Sequence, residues 1–124
     1  IKIIDEAQFN GNETKVPGTI EGRIVQDADW LEALGAIGIA RIFTRGGHIK
    51  RVIHDPKRKP RRKLSKRDYQ TRKQEGTSFN YFYEKSLKLV KMMNTKTAKI
   101  IATKREQFLK NYIEQFLAEW EGER

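Results

Sequence analysis

Residues 33–40, ALGAIGIA, carry no charged side chain, and this apolar run limits the possible folds more than any other feature. Apolar side chains in and around it recur at helical spacing, at Ile24, Ala28, Leu31, Leu34, Ile37 and Ile42. We therefore predict one helix from about Glu21 to Phe43. Because the segment is apolar nearly all round after Glu32, we expect this helix to lie at the centre of a domain.

Two buried strands are the alternative for this segment, which would suit Ile37, Ile39 and Ile42. The length of the segment and its Ala and Leu content favour the helix. Gly35 and Gly38 each cost about 1 kcal/mol relative to Ala inside a helix. Such glycines are tolerated where another element must approach closely, and the pair at 46–47 is expected to end the helix.

Two further helices are predicted in the carboxyl-terminal part of the chain. The first runs from about Ser78 to Met93, with apolar side chains at Phe79, Phe82, Tyr83, Leu87, Val90 and Met93. The second runs from about Thr95 to Glu121, and Asn94 or Thr95 is suited to the N-cap position. The predicted fold class is all-α, a bundle of three main helices in a single domain of 124 residues.

The composition restricts the class of protein. Hydrophobic residues make up 37% and charged residues 34% of the chain, and no stretch approaches the roughly 18 apolar residues of a membrane-spanning helix. Cysteine is absent, which excludes disulfides and thiolate metal sites and is consistent with an intracellular protein. No phosphate-loop, dinucleotide-binding or nucleophile motif is present. The first residue is Ile1 rather than Met, so we expect a piece of a longer product.

The net charge of +10 is concentrated in residues 50–73, which hold twelve Lys or Arg and only two Asp. This segment lies in a predicted loop over about 46–77, and loops of that length are either functional or disordered. One interpretation is a solvated, mobile loop. The other is a site for nucleic acid or another polyanion, because Lys and Arg contacts to phosphate dominate non-specific affinity. The phosphate-binding candidates are Lys57, Arg58, Arg61 and Arg62.

Asp27 and Asp29 precede the apolar run, and their positions allow two interpretations. Asp29 followed by Glu32 has the spacing of a capping box at a helix start. If the helix begins near Glu21, however, Asp29 lies two turns inside it, where a buried carboxylate is costly unless it is paired. A divalent cation would pair with it, since hard cations bind carboxylate oxygens. Asp29 and Glu32 would then share a helix face, whereas Asp27 points elsewhere.

Several stretches resemble the HD-domain metal-dependent phosphohydrolases, in particular a small bacterial cytoplasmic group related to nucleotide pyrophosphohydrolases. They are IIDEAQFNG, IVQDADWLEALGAIGIARIF, the following GG and IHDP, SFNYFYEKSLKLVKMMNTKTAKIIATKREQFL and EQFLAEWEG. The similarity extends over almost the entire chain. It implies a cytoplasmic protein that hydrolyses phosphate esters or nucleotide anhydrides. In such a protein a divalent metal, Mn or Mg, polarises a phosphoryl oxygen and activates a water.

The resemblance also implies roles for individual residues. The family holds its metal with a His, a His-Asp pair on a helix and a last Asp, and Asp29 matches the last Asp. Asp27 is then a second candidate, which would support the metal site without binding the metal itself. The upstream His and the helical pair belong to the first half of the family domain, which these residues do not include. His54-Asp55 does not replace that pair, because it precedes Pro56 in a turn-like stretch.

Two positions depart from the family pattern. Trp30 stands where the family usually has Arg, a residue suited to phosphate contact, and Tyr81 stands where relatives often have His. The resemblance thus implies the carboxyl-terminal half of one HD-type domain over residues 1–124, silent without its amino-terminal half. A bundle cut in half would expose apolar surface, so a homodimer is also expected. The alternative is a non-catalytic remnant that binds nucleic acid through residues 50–73.

Overall fold

The computed structural model describes residues 8–71 and 75–123, and every regular element in these ranges is helical. The predicted all-α class is confirmed. After a short 3₁₀ turn, five α-helices follow, the fourth of them preceded by a turn of π-helix. The elements are the 3₁₀ turn Gly11–Glu13, α1 Ile20–Glu32, α2 Gly35–His48, α3 Lys66–Thr71, the π turn Phe82–Ser86, α4 Leu87–Lys91 and α5 Lys96–Trp120.

The prediction of a single helix from Glu21 to Phe43 is wrong, because the chain breaks between α1 and α2. Leu34 has extended backbone angles, φ −113° and ψ 160°, and its side chain is buried in the core. Gly35 follows with φ +76°, a conformation that costs glycine little and other residues much. The break therefore turns Leu34 inward and starts a new helix in a different direction.

Gly38 allows the close approach that the sequence predicts, whereas the pair at 46–47 does not end its helix. A Cβ at position 38 would clash with the backbone of Ala33, so Gly38 lets α2 pack against the end of α1. Gly46 does not end α2, which continues to His48. A Cβ at position 46 would clash with the hydroxyl of Ser78 instead. Gly38 and Gly46 thus serve close packing, and Gly47 faces open space.

The last helix agrees with the prediction almost to the residue. Thr95 is its N-cap, and the Thr95 side chain accepts a hydrogen bond from the Ala98 N–H at 3.2 Å. At the start of α1 the same role belongs to Thr19, which accepts from the Gly22 N–H at 3.0 Å. The capping-box interpretation of Asp29 and Glu32 is therefore wrong, since α1 begins nine residues before Asp29.

Helix α5 runs the length of the bundle and contacts α1, α2 and α4. Its first turns close an amino-terminal core, formed by Phe9, Trp30, Leu34, Leu89, Met93, Ala98 and Ala102. Its later turns close an aromatic core, formed by Ile39, Ile42, Phe79, Phe82, Leu109 and Ile113. The ring of Phe116 stacks on Phe79 at a centroid distance of 4.6 Å and extends the second core toward the surface.

The predicted helix from Ser78 to Met93 exists only in part. Residues 78–80 form turns, residue 81 is helical, and the regular helix at 87–91 follows the π turn. A π turn adds a residue to the helical turn and changes which side chains point inward. Here the buried side chains of the π turn are those of Phe82, Glu84 and Ser86, so that a carboxylate lies in the interior.

The basic loop is held against the helices at several points. The backbone N–H groups of Ser78 and Phe79 donate to the carbonyls of Val52 and Ile53, each at 2.9 Å. Near the middle of the loop, the Asn80 Nδ2 donates a hydrogen bond to the backbone carbonyl of Arg58 at 2.7 Å. The described part of the loop is solvated, with most of residues 56–63 exposed, and it also contains the short helix α3. Its mobility stays a prediction. Residues 72–73 of the predicted basic segment lie outside the described residues.

None of the described helices combines the length and the apolar composition that crossing a bilayer requires.

Candidate functional site

Asp27 and Asp29 lie on opposite sides of α1, and only Asp27 is buried. One oxygen of Asp27 accepts from the backbone N–H of Asn94 at 2.8 Å and from its Nδ2 at 3.0 Å. The other oxygen accepts from the Thr95 N–H at 2.8 Å. These donors stand at the start of α5, where the helix dipole favours a carboxylate. Asp27 thus ties α1 to α5, and its supporting role at a metal site stays a prediction.

A short polar network extends the Asp27 contact to the amino-terminal segment. The Asn94 Nδ2 also donates to the Gln26 Oε1 at 2.8 Å. The Gln26 Nε2 in turn donates to the carbonyl of Lys15 at 3.0 Å. Both Gln26 and Asp27 are almost fully buried, and buried polar groups are stable only when hydrogen-bonded. The network therefore fixes the position of α1, and with it the direction in which Asp29 points.

Asp29 is exposed, so the expectation that it is buried in the bundle is wrong for the described residues. Glu32 is exposed as well and pairs with Arg41 at 3.3 Å. The described residues contain no group of three or more His, Asp or Glu side chains placed to hold a metal ion. One carboxylate is too few ligands for a divalent cation. These residues therefore do not form a metal site by themselves, and Asp29 could serve only as one ligand among others.

The exposed face of α1 around Asp29 is unusually apolar. Ile20, Ile24 and Val25 are 56%, 53% and 43% exposed, and Ala28 is exposed between them and Asp29. Exposed apolar surface of this kind marks a contact with another element or molecule. Asp29 therefore stands on a surface that is suited to being covered.

The four candidate phosphate-binding cations of the loop fall into two groups. Lys57, Arg58 and Arg62 are exposed, and Arg58 forms an ion pair with Asp55 at 3.3 Å. Arg61 instead lies against Glu84, whose carboxylate it contacts through Nη2 at 2.8 Å and Nε at 3.0 Å. Glu84 was not predicted as a functional residue, because Lys85 and Ser86 beside it give no local signal that it is buried.

His54 lies among aromatic rings rather than carboxylates. Its ring centroid is 4.7 Å from that of Phe79 and 4.9 Å from that of Trp120. Trp30, in the family's Arg position, is also a core residue, packed edge-on against Phe9 at 6.3 Å. Its indole Nε1 has no hydrogen-bond acceptor among the described residues. Trp30 therefore faces the amino-terminal core and not the surface that carries Asp29.

Three known proteins resemble the chain in sequence and in structure, although no protein-family profile matches it. A crystal structure of a Lactobacillus plantarum protein gives a TM-score of 0.89 at 43% identity, covering 98% of this chain and 57% of that one. A crystal structure of an HD-superfamily hydrolase from Bacillus thuringiensis gives a TM-score of 0.66 at 46% identity, covering 83% of this chain and 47% of that one.

The third protein is YpgQ of Bacillus subtilis, 34% identical over 117 residues that cover 93% of this chain and 48% of YpgQ. A crystal structure of YpgQ in complex with ADP gives a TM-score of 0.61 at 36% identity, covering 79% of this chain and 43% of that one. The all-α fold is consistent with the HD type. The chain spans about half the length of the relatives that it matches.

Proposed function

We propose that the chain is the carboxyl-terminal part of an HD-type, metal-dependent phosphohydrolase that acts on nucleotides or other phosphate esters or anhydrides. The observation that carries this proposal is the 46% identity to an HD-superfamily hydrolase over 83% of the chain. A nucleotide as the substrate class is supported by the crystal structure of YpgQ with ADP.

In this proposal Asp29 supplies one carboxylate ligand to a divalent cation, Mn or Mg. The remaining ligands come from a segment outside the 124 residues, which covers the exposed apolar face of α1. The burial of Asp27 supports this arrangement, because its three hydrogen bonds hold α1 and leave Asp29 free to face the covering segment. When bound, the cation would polarise a phosphoryl oxygen.

The test is metal-dependent hydrolysis of ADP and inorganic pyrophosphate by the full-length gene product. Asp29→Ala is expected to lower the rate at least about 100-fold, since even outer contacts of a metal ligand contribute 10–100-fold. Glu32→Ala is the matched control, because Glu32 is an exposed carboxylate one turn further along the same helix. We expect Glu32→Ala to retain activity within about threefold, as an exposed surface substitution. Equal activity of the wild type and Asp29→Ala would remove Asp29 from the site.

A second copy of the chain is the other occupant we propose for the apolar face of α1. Light scattering across a range of protein concentrations measures the mass of the complex. Ile24→Lys places a charge in this face, and we expect it to dissociate a homodimer if one forms there. An unchanged mass for Ile24→Lys would place any dimer contact elsewhere.

The alternative function is binding of nucleic acid or another polyanion through residues 50–73. The exposed cations Lys57, Arg58 and Arg62 support it. A polyanion binder loses affinity steeply with added salt, whereas a hydrolase requires the metal. Binding of duplex DNA measured between 50 and 200 mM salt therefore separates the two functions.

A further inference from the structure

A cavity of about 280 Å³ lies between α2, the basic loop and the π turn. We call it the basic cavity, because among the described residues its wall contains five cationic side chains and one carboxylate. These are Arg41, Arg45, Arg51, Arg61 and Lys85, with Glu84. The cations come from three separate parts of the chain, so the fold and not a local motif assembles them. The charged side chains of the wall therefore carry a net charge of +4.

The carboxylate of the wall is strongly engaged by one of the five cations. Glu84 accepts from the Arg61 Nη2 and Nε, at 2.8 and 3.0 Å, and from the Arg61 backbone N–H at 2.9 Å. Glu84 is nearly fully buried, which strengthens this pair and directs its charge to Arg61. The other charged side chains of the wall are cations, of which Arg41 pairs with the exposed Glu32 at 3.3 Å.

Two of the cations are oriented by the same aromatic ring. The guanidinium of Arg51 lies 5.4 Å from the centroid of Tyr81, and Lys85 Nζ also lies 5.4 Å from it. An aromatic face attracts cations without carrying a net charge. The ring therefore positions Arg51 and Lys85 while the wall stays positive. Arg51 is only 9% exposed, so its charge acts in a medium where Coulomb forces are stronger than in water.

From this geometry we infer that the basic cavity binds a phosphate or diphosphate group. Guanidinium groups donate paired hydrogen bonds that match phosphate oxygens, and four of them line this one cavity. The volume lies at the lower end of the range for small-molecule sites. It accommodates a phosphate or diphosphate group. The site differs from the loop cations selected by sequence, since Arg61 is the only one of those four in its wall.

The phosphate has two possible sources. It belongs either to the substrate of the proposed hydrolase or to a separate ligand such as inorganic pyrophosphate. The wall includes Ala33, four residues after Asp29 in the sequence, which favours the substrate. That choice of source rests on the proposed function, whereas the binding of an anion does not.

Calorimetric titration of the full-length gene product with inorganic pyrophosphate, at a salt concentration near physiological, tests the site. Arg45→Gln is the main variant, because Arg45 is exposed and its replacement leaves the core intact. We expect this variant to raise the dissociation constant for pyrophosphate about tenfold, as loss of one charge-assisted hydrogen bond does. Lys85→Gln should act similarly, and the melting temperature of each variant shows whether it is folded.

Arg62→Gln is the matched control, since it removes one positive charge from an exposed loop position outside the wall. We expect it to change the dissociation constant less than about twofold. Equal weakening by Arg62→Gln and Arg45→Gln would overturn the inference, and so would the absence of pyrophosphate binding to the wild type at millimolar concentration. If Lys85→Gln does not fold, the comparison of Arg45→Gln with Arg62→Gln alone decides whether the basic cavity binds pyrophosphate.

Hydrolysis kinetics of the same variants identify the source of the phosphate. A raised KM for ADP in Arg45→Gln, with kcat little changed, assigns the cavity to the substrate. An unchanged KM together with weaker pyrophosphate binding assigns it to a separate ligand. If the gene product does not hydrolyse nucleotides at all, the proposed function fails, while the titration still decides whether the cavity binds an anion.

Discussion

Two buried carboxylates connect distant parts of this chain, and they are neutralised in different ways. Asp27 accepts hydrogen bonds from uncharged amides at the start of α5, whereas Glu84 accepts them from the guanidinium of Arg61. The negative charge of Asp27 is thus stabilised by the partial positive charges of several peptide groups at the start of a helix. At Glu84 a full positive charge is brought close to other cations. The Asp27 contact therefore only holds two helices together, whereas the Glu84–Arg61 pair also places charge around a cavity.

The largest effect on stability is expected at Asp27. Asp27→Ala removes the acceptor for the buried N–H groups of Asn94 and Thr95 and for one side-chain amide. We expect a loss of about 3 kcal/mol in the free energy of unfolding, because unsatisfied buried donors are costly. Denaturant unfolding measures it. Asp29→Ala is the control two residues away, and we expect a change below about 0.5 kcal/mol for this exposed position. Similar losses for both would contradict the assignment of Asp27.

Breaking the Glu84–Arg61 pair should lower the free energy of unfolding slightly less. Glu84→Gln leaves the Arg61 charge without its carboxylate, and the Arg61 side chain is 26% exposed. We expect a loss of about 2 kcal/mol, somewhat below the value for a fully buried pair. The exposed pair of Glu32 and Arg41 provides the control, since Glu32→Gln should change stability by less than about 0.5 kcal/mol. Hydrogen exchange should also increase in the loop at 57–63, and unchanged protection there would show that Glu84 does not hold it.

A methyl group at position 76 tests how tightly the Glu84–Arg61 pair is packed. A Cβ on Gly76 would lie 2.6 Å from Arg61 Nη2 and 3.4 Å from Glu84 Oε1. Because Nη2 is the end of a flexible side chain, we expect Gly76→Ala to shift the pair at a cost of about 1 kcal/mol. Gly47→Ala is the control, since its Cβ would meet open space in α2 and should stabilise the helix slightly. A stabilised Gly76→Ala protein would show that the contact is loose.

The smallest effect on stability is expected from a change of pH, through the hydroxyl of Tyr83, which is next to Glu84 in the sequence. Burial raises the pKa of the Tyr83 hydroxyl above its usual value of 10.0. The unfolded chain then releases this proton at lower pH than the folded chain does, so stability is kept below about pH 10 and falls above it. Tyr83→Phe should make the fall between pH 9 and pH 11 shallower in denaturant unfolding. An identical fall in wild type and variant would assign the pH dependence to other groups.

Much of the helical content could be predicted because it follows from local periodicity and capping. Helix α5 has a long apolar stripe and a Thr at its N-cap, and its predicted bounds differ from the observed bounds by one residue at each end. The break at Leu34 was missed because the same apolar run satisfies a helical pattern on both sides of it. The different directions of Asp27 and Asp29 also follow from helical geometry. Which of the two is buried could not be predicted, since α1 carries apolar residues on both faces.

Local sequence specified the all-α class, the caps at Thr19 and Thr95, and a concentration of positive charge in one segment, because these depend on residues close together in the chain. Tertiary structure alone decided the partners of Asp27 and Glu84, which lie 67 and 23 residues away. It also decided the joining of Arg41, Arg45, Arg51 and Lys85 around one cavity. The energy of a buried charge depends on what surrounds it in space, and that environment exists only after distant helices have packed together.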